Sequence, residues 1–282
     1  MNPYLARCST PDYNLMPLTT IDSLQNARVK RAKGLMQKRQ RDREGLFLLE
    51  GERELERGIE AGIESTQIML CPELFKHAET SLALKDKLID GTTPVIFLTK
   101  QVFEHCSYRE NSDGFLAICK TFNRSLDELV LSNNPLLLIV ESLEKPGNLG
   151  TILRTADATG VDALILNDPI TDIFNPNVIR ASAGVVFKVP TVVATPSETH
   201  AYLKAKQILS FATTPDTDQL HFDASFSNPS AILMGSEKDG LSGFWIQHSD
   251  YKIRLPMAGQ ADSLNVGAAT AAVLYEIIRQ RR

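Results

Sequence analysis

The chain has 282 residues, 43% of them hydrophobic, and its 30 lysines and arginines stand against 34 aspartates and glutamates for a formal net charge of −4. That length and apolar content suit one large domain or two modest ones with cores of their own, and exclude a disordered chain. The acidic balance excludes a protein that is basic over its whole surface, and no run of about 18 uncharged apolar residues offers a membrane span.

Residues 1–20 carry three prolines and no periodicity, which predicts a flexible lead. They lack the basic start and apolar run of a signal peptide, so a cytoplasmic protein is expected. Cys8, Cys71, Cys106 and Cys119 form no close pair and have no histidines at zinc-site spacing. They read as reduced structural thiols, and no metal is expected.

Order is predicted to begin near Ile21, with Asp22 or Ser23 capping a helix that carries Leu24, Val29 and then a basic run. From Arg28 to Arg43 there are eight basic residues and one acid, Asp42. Such clustering makes a positive face even on an acidic protein. Arg28, Lys30, Arg31, Lys38, Arg39 and Arg41 are candidate contacts to nucleic-acid phosphates, and a solvated helix face is the alternative.

A strand at 47–49, a helix at 52–61 and strands at 65–70, 95–98 and 115–119, with a polar helical stretch at 72–87, make a small α/β domain over 21–120. The polar segment 121–134 is the predicted linker to a second domain, 135–282. There the apolar runs 136–140, 162–166, 185–189, 208–212, 231–234 and 252–255 are predicted strands, several wholly apolar as in a parallel sheet covered on both faces. Helices at 149–159, 176–182, 199–206 and 265–282 alternate with them, which is the pattern of a doubly wound fold. The last carries Val266, Ala269, Val273 and Ile277 at helical spacing. Periodicity does not decide whether that stripe meets its own sheet or a second subunit.

Three runs of this second domain are rich in glycine and amides and each follows a predicted strand: 148–160 (NLGTILRTADATG), 235–242 (GSEKDGLS) and 255–267 (LPMAGQADSLNVG). Loops after parallel strands gather at one edge of the sheet, so the three predict one composite pocket containing Arg154, Glu237, Ser263 and Asn265 but no histidine. The signatures of ordinary nucleotide enzymes and of serine hydrolases, GxGxxG, GxxxxGK[ST] and GxSxG, are absent. A guanidinium at Arg154 is able to grip a phosphate in bidentate fashion; a plain salt bridge is the alternative. Asn148 is able to cap the helix that begins near Leu149, Glu237 to sit at a helix start, and Ser263 and Asn265 to cap the final helix.

Together these residues resemble the SpoU (TrmH) family of RNA ribose 2′-O-methyltransferases. The three motifs occur in order: Asn148, Gly150, Arg154, Ala156 and Gly160; Gly235, Glu237 and Gly240; Pro256, Met257, Gly259, Ser263, Leu264, Asn265 and Val266, followed by Tyr275 and Glu276. The segments 179–190 (IRASAGVVFKVP), 23–30 (SLQNARVK) and 45–53 (GLFLLEGER) extend the likeness, the last two to a ribosomal-protein-like RNA-binding domain. One departure is Gly267, where many members have serine.

The resemblance implies a C-terminal deep trefoil knot of the SPOUT class behind a smaller N-terminal α/β domain, a homodimer formed by the knotted domains, and S-adenosylmethionine as methyl donor without a metal. It implies that Arg154 helps activate the ribose 2′-hydroxyl, and that Asn148, Glu237, Ser263 and Asn265 shape the pocket and hold ribose and phosphate. The adenine of the methyl donor would lie among Thr213, Met234, Gly235, Leu255, Met257 and Leu264. Ribosomal RNA is the expected substrate, with transfer RNA, an inactive RNA-binding protein and a small-molecule enzyme as alternatives.

Overall fold

A computed structural model describes residues 20–282. The predicted lead and Cys8 therefore lie outside the described residues, apart from Thr20.

The first half contains β1 (Thr20–Ile21), α1 (Ala27–Gly34), α2 (Lys38–Glu44), β2 (Leu46–Glu50), α3 (Glu52–Glu60), β3 (Ser65–Leu70), α4 (Ala78–Ile89), β4 (Val95–Leu98), α5 (Lys100–Cys106) and β5 (Phe115–Lys120). Its strands form a mixed sheet in the order β1-β4-β3-β5-β2, with β5 antiparallel to both its neighbours. The wholly apolar cores of β2 and β5 are buried on both faces.

The basic run is not one helix. Asn26, rather than Asp22 or Ser23, caps α1 by accepting a hydrogen bond from the Arg28 amide at 2.9 Å. The chain breaks after Gly34 and restarts at Lys38, because the carbonyls of Leu35 and Met36 are taken by the Arg41 guanidinium at 3.0 and 2.8 Å.

The second half contains β6 (Leu136–Glu141), α6 (Pro146–Thr159), β7 (Ala163–Asn167), α7 (Pro176–Ala181), β8 (Thr191–Ala194), α8 (Pro196–Ala205), β9 (Leu209–Thr213), β10 (Ser230–Met234), α9 (Gly243–His248), β11 (Tyr251–Ile253) and α10 (Val266–Arg281). All six strands are parallel, in the order β11-β9-β10-β6-β7-β8. The predicted strand at 185–189 is instead a 3-10 turn, Val185–Phe187, and the strand follows it after Pro190. Val185, Val186 and Val189 are buried under the junction with the first sheet, which explains an apolar run that belongs to no strand. The stripe of α10 is settled too: Val266, Val273, Leu274 and Ile277 are buried within the chain, against α6 among others.

The two halves share one apolar core. Phe47 of β2 lies with its ring 4.9 Å from that of Phe174, and Phe122 meets Phe174 edge-on at 5.0 Å. Arg57 of α3 donates to the Ala183 carbonyl at 2.5 Å. Arg41 is only 2% exposed and pairs with Asp172, on the loop before α7, at 2.7 Å. The expectation that Arg41 meets RNA phosphate is thereby corrected: its head is buried and spent on two carbonyls and one carboxylate across the junction. From that loop the contact runs inward, since α7 packs so tightly on α6 that a Cβ on Gly150 would stand 2.3 Å from that of Ala181.

The cysteines within reach, Cys71, Cys106 and Cys119, are free and buried. Burial pushes the Cys106 thiol up to about 11 and the Cys119 thiol up to about 12, so both stay protonated and unreactive at neutral pH.

Replacing Arg41 by methionine strands Asp172 and the carbonyls of Leu35 and Met36 in the turn between α1 and α2. The expected loss is about 3 kcal/mol, read as a lower midpoint in urea unfolding. An unchanged midpoint would show that the buried pair contributes nothing to the junction.

Candidate active site

The carboxyl ends of β6, β9, β10 and β11 lie along one edge of the parallel sheet, and the loops that leave them build the site. After β6 the chain turns through residues 142–145 into α6, whose first residue, Pro146, has its fixed φ suited to a helix start. After β10 it makes a tight loop in which Ser236 and Gly240 exchange backbone hydrogen bonds at 3.0 and 3.1 Å, leaving Glu237 at the tip. Only glycine fits at 235, because a Cβ there would be 2.1 Å from the Gly240 carbonyl carbon. Glu141, buried at the end of β6, anchors the far side of this loop by accepting from the Ser242 amide at 2.7 Å. After β11 a long loop, 254–265, leads into α10.

Glu237 joins the three loops. One carboxylate oxygen accepts from Asn148 Nδ2 and from Asn265 Nδ2, each at 2.6 Å, and the other takes the Lys145 ammonium. Asn265 Nδ2 also reaches Asn148 Oδ1 at 3.2 Å. The Lys145 ammonium, with help from both amides, holds the Glu237 carboxyl below the usual carboxylate range although burial works the other way. A carboxylate so occupied is a poor proton acceptor and a good fastener.

The predicted residues fall out differently under this geometry. Asn265 both caps α10, accepting from the Gly267 amide at 3.0 Å, and ties Glu237. Ser263 does not cap α10; it lines the neighbouring cleft. Asn148 is inside the first turn of α6 rather than at its cap, and its amide is spent on Glu237 and Asn265. Glu237 is on a loop, not at a helix start. Arg154 is exposed on α6, six residues and roughly 9 Å along the axis from Asn148. Among the described residues it has no ion pair, and it is not one of the donors to Glu237. Lys145 was not anticipated; the signal was a lone cation directly before Pro146, in a stretch that reads as a mere turn. At the Gly267 departure, a Cβ would come 3.1 Å from the Thr151 methyl of α6, so a serine there would have to displace that contact.

Beside the junction opens a cleft lined by Thr213, Met234, Leu255, Met257, Ser263 and Leu264 among others. Five of the six residues expected around an adenine are therefore brought together, while Gly235 does not line it. Its walls are mainly aliphatic and thioether groups, with backbone of three loops at the rim, which suits a flat aromatic base with a polar edge. The Thr213 hydroxyl is already spent on the Leu233 carbonyl at 2.7 Å.

Of the predicted phosphate contacts, Arg28, Lys30, Arg31, Lys38 and Arg39 are exposed on α1 and α2, and Arg41 is not. Arg31 pairs with Glu44 at 2.6 Å and Lys38 with Asp42 at 2.7 Å, so part of the positive charge of that face is neutralised in place.

Comparison with known proteins follows the same division. Residues 135–275 match the SpoU rRNA Methylase family, and residues 26–117 match the MRM3-like substrate binding domain. The chain is 31% identical to the 23S rRNA (uridine(2479)-2′-O)-methyltransferase of Streptomyces viridochromogenes, over 91% of each protein. An RNA 2′-O ribose methyltransferase of known crystal structure is 36% identical, with a TM-score of 0.81 over 93% of this chain and 99% of that one. The AdoMet-bound rRNA methyltransferase of Sinorhizobium meliloti is 27% identical, with a TM-score of 0.84 over 93% and 97%.

Because the folded-state carboxyl of Glu237 is depressed, the hold it gives the junction is complete above the usual carboxylate range and is lost as the pH falls through the lowered value. In a carbon-detected NMR titration the Glu237 carboxyl, identified by the signal that disappears in Glu237→Gln, is expected to titrate below the ordinary carboxylate range. In Lys145→Met that group moves up towards the ordinary range; no movement would remove Lys145 from the junction.

Proposed function

Since the chain belongs to the SpoU rRNA methylase family, we propose that it transfers a methyl group from S-adenosylmethionine to a ribose 2′-hydroxyl of ribosomal RNA. The observation that carries this reading is the Glu237 junction, which gathers the motif loops beside a cleft whose walls suit an adenine. S-adenosylmethionine, when bound, supplies a methyl group made electrophilic by its positive sulfur, and Met234, Leu255, Met257 and Leu264 are the side chains that would hold it.

The residues of the chain then have positioning and charge to provide. Asn148 and Asn265 hold amides at the junction beside the cleft, locked in orientation by Glu237, and Ser263 offers a hydroxyl on the cleft wall. Arg154 supplies a cation that does not titrate in the working range; beside the ribose it lowers the cost of the oxyanion forming at the 2′ position, and its fork matches the adjoining phosphate. Glu237, already holding three donors, orders the loops and is not the proton acceptor.

The RNA is engaged through the first sheet's domain, where Arg28, Lys30, Arg31, Lys38 and Arg39 meet phosphates rather than bases. Transfer RNA is the rival substrate. A deep trefoil knot and a homodimer complete the reading. In its favour, the chain leaving the edge strand β11 crosses the ends of β9 and β10 to pack α10 on α6, and α10 leaves Tyr275 57% exposed on its outer face. No helix among the described residues is long and apolar enough to cross a membrane, and a cytoplasmic site of action accords with a ribosomal substrate.

Incubation with methyl-labelled S-adenosylmethionine and unmodified RNA, followed by nucleoside analysis, is expected to show a 2′-O-methylated nucleoside in ribosomal RNA. Label confined to transfer RNA would move the substrate, and none in either would contradict methyl transfer. Arg154→Ala is expected to lower kcat by about 10²- to 10³-fold with the affinity for S-adenosylmethionine unchanged. Replacing Arg28, Lys30, Lys38 and Arg39 with glutamine should reduce the slope of log affinity against log salt by about 3, measured by filter binding; an unaltered slope would place the RNA on another face.

A further inference from the structure

On the other side of the Glu237 junction from the aliphatic cleft lies a second, open cavity lined by Leu143, Glu144, Lys145, Asn148, Glu237 and Lys238. Its character is different: five of the six side chains are polar or charged. Lys145, Asn148 and Glu237 are committed to one another. Glu144 and Lys238 are exposed and, among the described residues, make no ion pair or hydrogen bond. The cavity thus presents one uncommitted carboxylate and one uncommitted ammonium, next to the amides assigned above to the ribose.

Resting on the methyl-transfer reading, we infer that this cavity receives the base of the modified nucleotide, and that Glu144 selects guanine by its Watson–Crick edge. A carboxylate only accepts hydrogen bonds, and it does so through two oxygens side by side. Guanine alone among the four bases offers two adjacent donors on that edge, N1–H and the 2-amino group. Adenine and cytosine set an acceptor nitrogen beside their amino group, and uracil sets its single N–H between two carbonyl oxygens, so each confronts the carboxylate with at least one lone pair. Lys238 has three donors and no acceptor; it suits O6 or N7 of the same base, and cannot compete for the edge that Glu144 takes. Leu143, buried, closes the floor of the cavity. RNA bases are read in this way, on their Watson–Crick edges, when they are unstacked from a loop or single strand.

The test uses the full-length protein, methyl-labelled S-adenosylmethionine and unmodified ribosomal RNA. The expected product after digestion is 2′-O-methylguanosine. With the position mapped, a short RNA carrying inosine there lacks only the 2-amino group. The wild-type protein is expected to lose about 10- to 100-fold in kcat/KM on the inosine RNA, whereas Glu144→Gln, already lowered by a similar factor on guanosine, shows no further loss. Methyl on uridine, cytidine or adenosine overturns the assignment while leaving methyl transfer intact, as does an inosine penalty equal in wild type and variant. Absence of any methylated nucleoside overturns both this inference and the reading on which it stands.

Discussion

One carboxylate carries the architecture of the site. The parallel sheet sets the ends of four strands along an edge, but an edge is only a row of loops, each free to move. Glu237 turns two of those loops and the start of α6 into a single body, because its oxygens are shared between Asn148 and Lys145 on one side and Asn265 on the other. Three donors to one acceptor also fix the two amides in a single orientation, which is what a site needs if it is to present them to a ribose without ordering them anew at each turnover. The cost is that the carboxylate is unavailable as a base, and its lowered pKa reflects that commitment.

A second constraint links this body to the half that matches a substrate binding domain. The halves of the chain share aromatic packing around Phe174, and the buried Arg41 reaches across the junction to the partly buried Asp172. Asp172 precedes α7, α7 presses on Gly150, and Gly150 lies one turn before Arg154 on α6. Contacts made by α1 and α2 are therefore held in register with the helix that carries the cationic candidate. Under the proposed function, an RNA gripped by one half would arrive at the other with its ribose placed, and the binding energy of its remote parts would be available for orientation at the reacting atoms.

Much of this was readable in the residues. Strand-like apolar runs, each followed by glycines and amides, foretold the row of loops, and five of the six residues anticipated around an adenine line the cleft. What was missed has physical causes. Arg41 is chemically the same as its neighbours in the basic run; its burial depends on Asp172, 131 residues later, which no local pattern encodes. Val185, Val186 and Val189 are as buried as strand residues would be, and a short apolar run does not say what covers it. Lys145 escaped notice because its partner lies in another loop. Asn148 and Ser263 were each credited with a helix cap that the structure gives to other positions, since propensity places a capping residue near a helix start but not at a given residue of it.

The central claim is that Glu237 builds the methyl-donor cleft by fastening its loops, and calorimetric titration of S-adenosylmethionine into wild-type protein and Glu237→Ala addresses it most directly. The wild type should bind with one site per chain, and the variant, with an unchanged far-ultraviolet spectrum, should bind at least tenfold more weakly. Equal affinities in the two proteins, or no heat with the wild type, would contradict the account.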